Sequence, residues 1–393
     1  MERFFAIAAG VGEDIQALSG YDRSALAEAK PRMSQQRTHP VDRKGTLLEW
    51  RKIVESPHRG RWLTAILLLA IAGVEIGLVI AQPTPRSALP SDTTSISQIS
   101  STQEVRMTNA GVCYVVDPSL IVSAGPTKDG IPSIDHPVYV SASAADLWLA
   151  DDDLVLALDY QGIARAYPLN ILVWHNIVND EVAGTPVLVS YCPLCGSASA
   201  YARVIDGQAV EFGTSGKLYN SNLVLYDRLT DSYWSQYDGL ALVGALAGQR
   251  LSSIPLDVVL WGDWKATHAD SEVLSKETGF DRDYDHNPYE TYDEDSFVFA
   301  PVDQRTLLLP VKTPVLGVEV DGSYAAYREQ DLIALGHIQD RVGGARILIS
   351  RDEFGIISAR DLDTDEVIDS TRSYWFAWVT FHPTTTLQLF SGR

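Results

Sequence analysis

The chain has 393 residues, more than one ordinary core organises and enough for two domains with appendages. Its 46% apolar and 21% charged residues are those of a globular protein. A formal charge of -20 excludes nucleic acid as a general partner, because phosphate binding needs a basic face, and three cysteines are too few for a disulfide framework.

Residues 1–61 are polar and mostly irregular, and they turn basic from Arg32 onward with Arg37, Arg43, Lys44, Arg51, Lys52, Arg59 and Arg61. The apolar run Trp62–Ala81 follows, interrupted by one charge, Glu75. At ~1.5 Å per residue its length matches a hydrocarbon core, so a transmembrane helix over residues 62–81 is expected. The basic flank precedes the run, which places residues 1–61 in the cytoplasm and the main domain outside it, in a single-pass membrane protein. Residues 82–104 are rich in Pro, Ser and Thr and read as a flexible linker. Folding is expected to begin near Val105.

An internal repeat organises the remainder. Val155–Ser190 aligns without a gap on Val315–Ser350, with eleven identities that include Gly162/Gly322, Ala166/Ala326, Tyr167/Tyr327, Asp180/Asp340 and Gly184/Gly344. Further on, Trp261-x-x-Trp264-x-x-x-His268 returns as Trp375-x-x-Trp378-x-x-x-His382. The expected class is α+β and strand-rich, an internally duplicated strand–turn–strand–helix–turn–strand unit behind a single transmembrane helix. Residues 105–310 would form the first repeat, and residues 311–393 a second, degenerate repeat packed on it. Inside the unit, a helix is expected over Leu169–Val178, returning through the strands Val187–Tyr191 or Ile347–Arg351.

The reactive residues lie in the first repeat only. Cys192-Pro193-Leu194-Cys195 follows His175, whereas the second repeat has Leu335, Asp352 and Gly355 at those places. A Cys-x-x-Cys spacing lets two sulfurs meet one metal or form a reducible disulfide. Cys192, Cys195 and His175 are therefore candidate ligands for copper or zinc, and candidates for thiol-disulfide chemistry. An idle thiol pair, and a core His175 bonded to a backbone carbonyl, stand beside these readings. If the strand after the helix runs back along it, Cys192 comes level with the N-terminal half of the helix, within reach of a shared metal. Cys113 reads as a buried inert thiol.

Lys217, Tyr219, Asn220 and Asn222, in a glycine- and hydroxyl-rich hairpin, are candidate pocket residues. The P-loop pattern is not met there. Asp227 and Arg228 suggest a structural ion pair, and Asp231 a turn cap or a catalytic carboxylate. Asp281, Asp283 and Asp285 open like a calcium loop, but His286 and Tyr292 occupy the places of the required Gly and Glu, so the segment reads as a solvated acidic loop. His268 and His382 recur together and are expected to pack. Hydrolase elbow, zincin and dinucleotide motifs are absent from the sequence.

The stretches Trp174-His175-Asn176-Ile177-Val178-Asn179-Asp180, Tyr191-Cys192-Pro193-Leu194-Cys195-Gly196-Ser197, Tyr219-Asn220-Ser221-Asn222 and Trp234-Ser235-Gln236 resemble the bacterial family known as domain of unknown function 3179. The resemblance covers roughly residues 130–390 and implies an exported or membrane-anchored domain without assigning a reaction. The N-terminal extension and Cys113 depart from the family pattern. The leading expectation is a membrane-anchored extracytoplasmic protein that binds a soft metal or performs thiol-disulfide chemistry through the Cys-Pro-Leu-Cys loop. Its alternative is a non-catalytic cell-envelope module that binds a small molecule or a protein on an aromatic surface (Trp234, Tyr237, Trp261, Trp264) and is stapled by a structural disulfide.

Overall fold

Strand alternation and short turns dominate this sequence, and the computed structural model is accordingly a strand-rich α+β domain of several antiparallel sheets with a few short helices. It describes residues 104–304, 306–353 and 355–390. No helix among the described residues is long and apolar enough to cross a membrane. The expected span at 62–81 and the basic segment before it lie outside the described residues.

In chain order, a short strand β1 (Val122–Ser123) precedes β2 (Leu154–Tyr160), β3 (Ile163–Pro168), helix α1 (Leu169–His175), β4 (Ile177–Val182), β5 (Thr185–Cys192) and β6 (Ser197–Ala202). An antiparallel group follows: β7 (Phe212–Tyr219), β8 (Asn222–Asp227), β9 (Tyr233–Ser235) and β10 (Ala241–Val243). Then come β11 (Asp257–Leu260), α2 (Trp261–Thr267) and β12 (Glu272–Leu274). The second set runs β13 (Pro314–Val320), β14 (Ser323–Arg328), α3 (Glu329–Leu335), β15 (His337–Val342), β16 (Ala345–Arg351), β17 (Ile357–Asp361), β18 (Ser370–Tyr374), α4 (Trp375–Phe381) and β19 (Thr386–Gln388).

The two sets pair alike. In the first, β11-β2-β3-β12 are neighbours and only β3 and β12 are parallel. In the second, β18-β13-β14-β19 are neighbours and only β14 and β19 are parallel. β4-β5-β6 and β15-β16-β17 form matching meanders. The difference is what lies between meander and closing helix. The first set carries the β7–β10 group there, which forms a seven-stranded sheet with β1 and the N-terminal strands Arg106–Met107 and Cys113–Tyr114.

Two sequence expectations are corrected. The helix ends at His175 rather than Val178, because Asn176 adopts φ 60° and its N–H closes on Leu172 O, the left-handed stop that Asn tolerates. Residues Ile177–Val182 then form β4, a strand absent from the expected unit. β4 and β5 make a hairpin in which Ile177 faces Ser190, and Tyr191 N–H donates to Asn176 O at 2.9 Å. Cys192 is thereby returned to the C-terminal end of α1, not to its N-terminal half.

Shared polar anchors tie each set together. Tyr167 Oη donates to Asp180 at 2.6 Å in the first, and Tyr327 Oη to Asp340 at 2.7 Å in the second. The closing helices place Trp261, Trp264, Trp375 and Trp378 in the core. His268 stacks on Trp264 at 3.6 Å between ring centroids, and His382 lies against Trp378 at 4.1 Å, so both are packed as the recurrence led us to expect. Trp378 lies so close to Gly317 on β13 that a Cβ there would fall 2.1 Å from the indole. Gly317→Ala should therefore destabilise the domain by about 3 kcal/mol, because a core indole wedged by its neighbours cannot yield to overpacking. Chemical denaturation measures this; a loss below ~0.5 kcal/mol would show that the ring relaxes freely.

Candidate functional site

β5 ends in Cys192 and β6 begins at Ser197, its cross-strand partner. The connection Pro193-Leu194-Cys195-Gly196 is closed by Cys195 N–H donating to Cys192 O at 3.1 Å, with Gly196 at φ 58°. Glycine is needed here twice over, since a Cβ would also press into the Tyr374 ring at 2.9 Å. The second set buttresses this loop: Tyr374 N–H donates to Cys195 O at 2.7 Å.

Cys192 and Cys195 are buried free thiols close enough to shift each other's ionisation. Burial works to raise Cys192, but the Cys195 thiol and the backbone N–H groups of Leu223, Cys195 and Leu194 outweigh it and hold Cys192 below the usual thiol range. Burial pushes Cys195 well up, and the charge and hydrogen bond of Cys192 push it further. Proton affinity is thus divided between the two sulfurs, as suits one thiolate beside one thiol.

Cys195 is held from below by the β7–β10 group. Its Sγ–H donates to Ser221 O at 3.3 Å. Asn220 and Ser221, at φ 52° and 62°, form the two-residue turn between Tyr219 and Asn222. Asn222 hydrogen-bonds to Cys195 and donates to Gln236 Oε1 at 2.8 Å. Gln236 Nε2 donates to Ser199 Oγ at 3.0 Å, and Ser197 Oγ donates to Gln236 Oε1 at 3.1 Å. Gln236, Ser197 and Ser199 were not singled out as site residues from the sequence. The signal was the company of Ser197 and Gln236 in the family-like stretches.

Cys192 lines an apolar cavity that is partly open to solvent. Its wall holds Ile131, Trp174, Leu194, Leu223, Tyr289 and Phe299, with Asn176 among them. Across Pro193, Val173 and Tyr289 lies a polar cleft lined by Asn170, Glu290, Asp293, Lys312, Arg372 and Tyr374. Arg372 is already paired bidentately with Glu329 at 2.8 and 2.9 Å, and Lys312 with Asp295 at 2.6 Å. The tyrosines around the thiols stay protonated: burial raises Tyr191 to about 12 and lifts Tyr237, Tyr289, Tyr292 and Tyr374 far above their ordinary value.

The structure brings the two cysteines together and turns His175 elsewhere. The buried imidazole hydrogen-bonds through Nδ1 to Pro132 O at 2.8 Å and through Nε2 to Tyr284 Oη at 2.7 Å. Among the described residues no group of three His, Cys, Asp or Glu side chains is arranged to hold a metal ion. Both ring nitrogens therefore serve packing. Burial lowers the His175 pKa to about 4, with Arg282 contributing and Pro132 O opposing. An unfolded chain then takes up a proton between pH 6.5 and 4 that the folded chain refuses. The resulting stability is present above pH 6.5 and lost as pH falls, by up to about 3 kcal/mol. Denaturation of His175→Gln from pH 7 to 4.5 should show a flatter stability profile than the parent; an identical slope would mean that His175 is not held neutral.

The remaining candidates are dispersed. Asp231 is exposed, ion-pairs with Lys128 and lies in a turn at φ 63°, away from the thiols. The turn is capped by buried Asp227, which accepts from Ser232 N at 3.1 Å and Trp234 Nε1 at 2.9 Å. Arg228 pairs with Asp135 at 2.7 Å and Glu211 at 2.8 Å instead of with Asp227. Lys217 pairs in register with Ser123 and Val224, Tyr219 sits edge-on to Phe381 at 6.0 Å, and Asn220 binds Asp303; of the four pocket candidates only Asn222 reaches the thiols. Trp234, Tyr237, Trp261 and Trp264 are buried, so they form no aromatic surface. Cys113 is half-buried on a two-residue strand paired on both sides, not fully buried. Asp281 and Asp283 are solvated and Asp285 pairs with Lys276 at 2.6 Å.

A dithiol loop clamped between two β-meander assemblies and an inserted antiparallel sheet defines a strand-rich α+β domain with one concentrated chemical feature. The sequence pattern of the family of proteins of unknown function DUF3179 matches residues 128–385, and the chain belongs to that family. No curated protein and no solved structure matches it.

Proposed function

We propose that the domain carries out thiol-disulfide exchange, with Cys192 as the attacking and Cys195 as the resolving sulfur. The observation behind this is the asymmetry of the pair: Cys192 faces the cavity, whereas Cys195 lines neither cavity and donates inward to Ser221 O. Attack by the Cys192 thiolate on a disulfide sulfur forms a mixed disulfide and expels one thiolate. Cys195 then gives up its proton, attacks Cys192 Sγ and expels the second, leaving a Cys192–Cys195 disulfide. The recurring sets support reading 154–268 and 314–388 as two copies of one module, of which only the first is armed. The run 62–81 would anchor the domain outside the cytoplasm, in a compartment where such a pair cycles.

A redox titration of the purified domain, with free thiols counted by mass after alkylation, tests the reading. Expected is a reversible two-electron couple that Cys192→Ser and Cys195→Ser each abolish. A pair that stays reduced under every buffer, or a disulfide that only lowers stability when removed, would return the protein to a structural envelope module.

A second reading follows from the same two sulfurs. A lone thiolate pair suits copper(I), whereas a structural zinc site takes four protein ligands, and His175 is engaged by Pro132 and Tyr284. Metal analysis of the parent against Cys192→Ser/Cys195→Ser checks this, and equal negligible copper in both would remove it.

A further inference from the structure

The wall around Cys192 narrows what can approach it. Its polar side chains are already satisfied within the protein: Asn176 Nδ2 donates to Tyr191 O at 3.3 Å and bonds the Tyr289 hydroxyl, and Trp174 Nε1 donates to His286 O at 3.0 Å. Ala124, Pro126, Ile131, Leu218, Leu223 and Phe299 offer no hydrogen bond from their side chains. Apart from the Cys192 thiolate itself, no charged side chain lines this cavity. An anionic or strongly hydrated ligand placed there would lose its water and find no partner, at a cost of roughly 2–7 kcal/mol for each unpaired polar group and more for a charge. An apolar ligand gains from the same walls.

We infer that the substrate of the Cys192–Cys195 pair is a small, uncharged, predominantly apolar disulfide, bound in the cavity beside Cys192. This rests on the exchange reading and specifies its substrate class. In balance, the protein dithiol and R–S–S–R give the protein disulfide and two R–SH. The Cys192–S bond to substrate forms as the substrate S–S bond breaks. The internal disulfide then forms as the mixed disulfide breaks, and the protons lost from the two thiols end on the two leaving thiolates.

The test compares two aromatic disulfides, uncharged dithiodipyridine and the dianion dithiobis(nitrobenzoate), each reacted with the reduced domain. Each rate constant is divided by that for N-acetylcysteine at the same pH, which removes the intrinsic reactivity of the probe. The uncharged probe should then be favoured at least about tenfold, the equivalent of ~1.4 kcal/mol. Ala124→Phe fills the cavity from a loop position and should slow the uncharged probe at least about fivefold, with the midpoint potential of the pair unchanged as the sign of an intact fold. A normalised preference for the dianion, or an Ala124→Phe variant with parental rates, overturns the inference. The first result would move the substrate to the polar cleft with Lys312 and Arg372. A pair that forms no internal disulfide with either probe, nor in the redox titration, would instead overturn the exchange reading itself.

Discussion

Cys195→Ser should trap the domain as a mixed disulfide through Cys192, while Cys192→Ser should form almost none. The reason is positional as well as electrostatic. Cys192 borders a cavity and is held below the usual thiol range, whereas Cys195 is held inward with its pKa raised by burial and by its neighbour. In the parent, the resolving sulfur lies in the same tight loop, closed by Cys195 N–H on Cys192 O, so release is an intramolecular step with a high effective concentration. Without Cys195 the second thiol must come from solution, and turnover should fall by at least about two orders of magnitude. Intact-protein mass spectrometry after exposure to a disulfide probe reads the adduct directly. Adducts of equal yield on both single variants would show that the two sulfurs are equivalent and remove the assigned order of attack.

The second large effect concerns stability and separates the two sets of elements. Asp180 is buried and accepts from Arg165 at 2.7 and 2.8 Å, from Tyr167 at 2.6 Å and from Tyr139 at 2.5 Å. The Arg165 side chain is itself only 13% exposed. Asp180→Ala leaves that guanidinium with Glu272 as its remaining carboxylate and removes the shared acceptor of two tyrosine hydroxyls, which should cost about 3–5 kcal/mol. The equivalent Asp340 anchors Tyr327 alone among side chains, so Asp340→Ala should cost about 1–2 kcal/mol. Urea denaturation of both variants tests the pair together. Equal losses would mean that the Arg165 cluster contributes nothing beyond the shared tyrosine bond.

Much of this architecture is legible without coordinates because it is written in local periodicities. Alternating apolar residues, the turns at Gly162 and Gly322, and the shared Tyr and Asp positions recur along the sequence, and strands and helices recur at those places. The strand Ile177–Val182 was missed because its residues continue the apolar run of α1, and only the left-handed Asn176 separates helix from strand. Missing it displaced Cys192 by the length of a hairpin arm, which is why His175 looked like a partner. The Asp227–Arg228 pair failed for a related reason. The strand ends at Asp227 and the chain turns at Arg228, so Asp227 faces Trp234 while Arg228 reaches Asp135 and Glu211.

By itself, then, the sequence determined the strand-rich class, the recurrence, and the confinement of paired thiols to one of its two rounds. These depend on residue type and spacing along a few neighbouring turns. Tertiary structure decided which sulfur faces the cavity, that Asn222 and Gln236 lie under Cys195, and that His175 is spent on Pro132 and Tyr284. Such partners are set by how separate sheets dock, and their docking follows from side-chain packing between segments far apart in the chain, which local pattern does not encode.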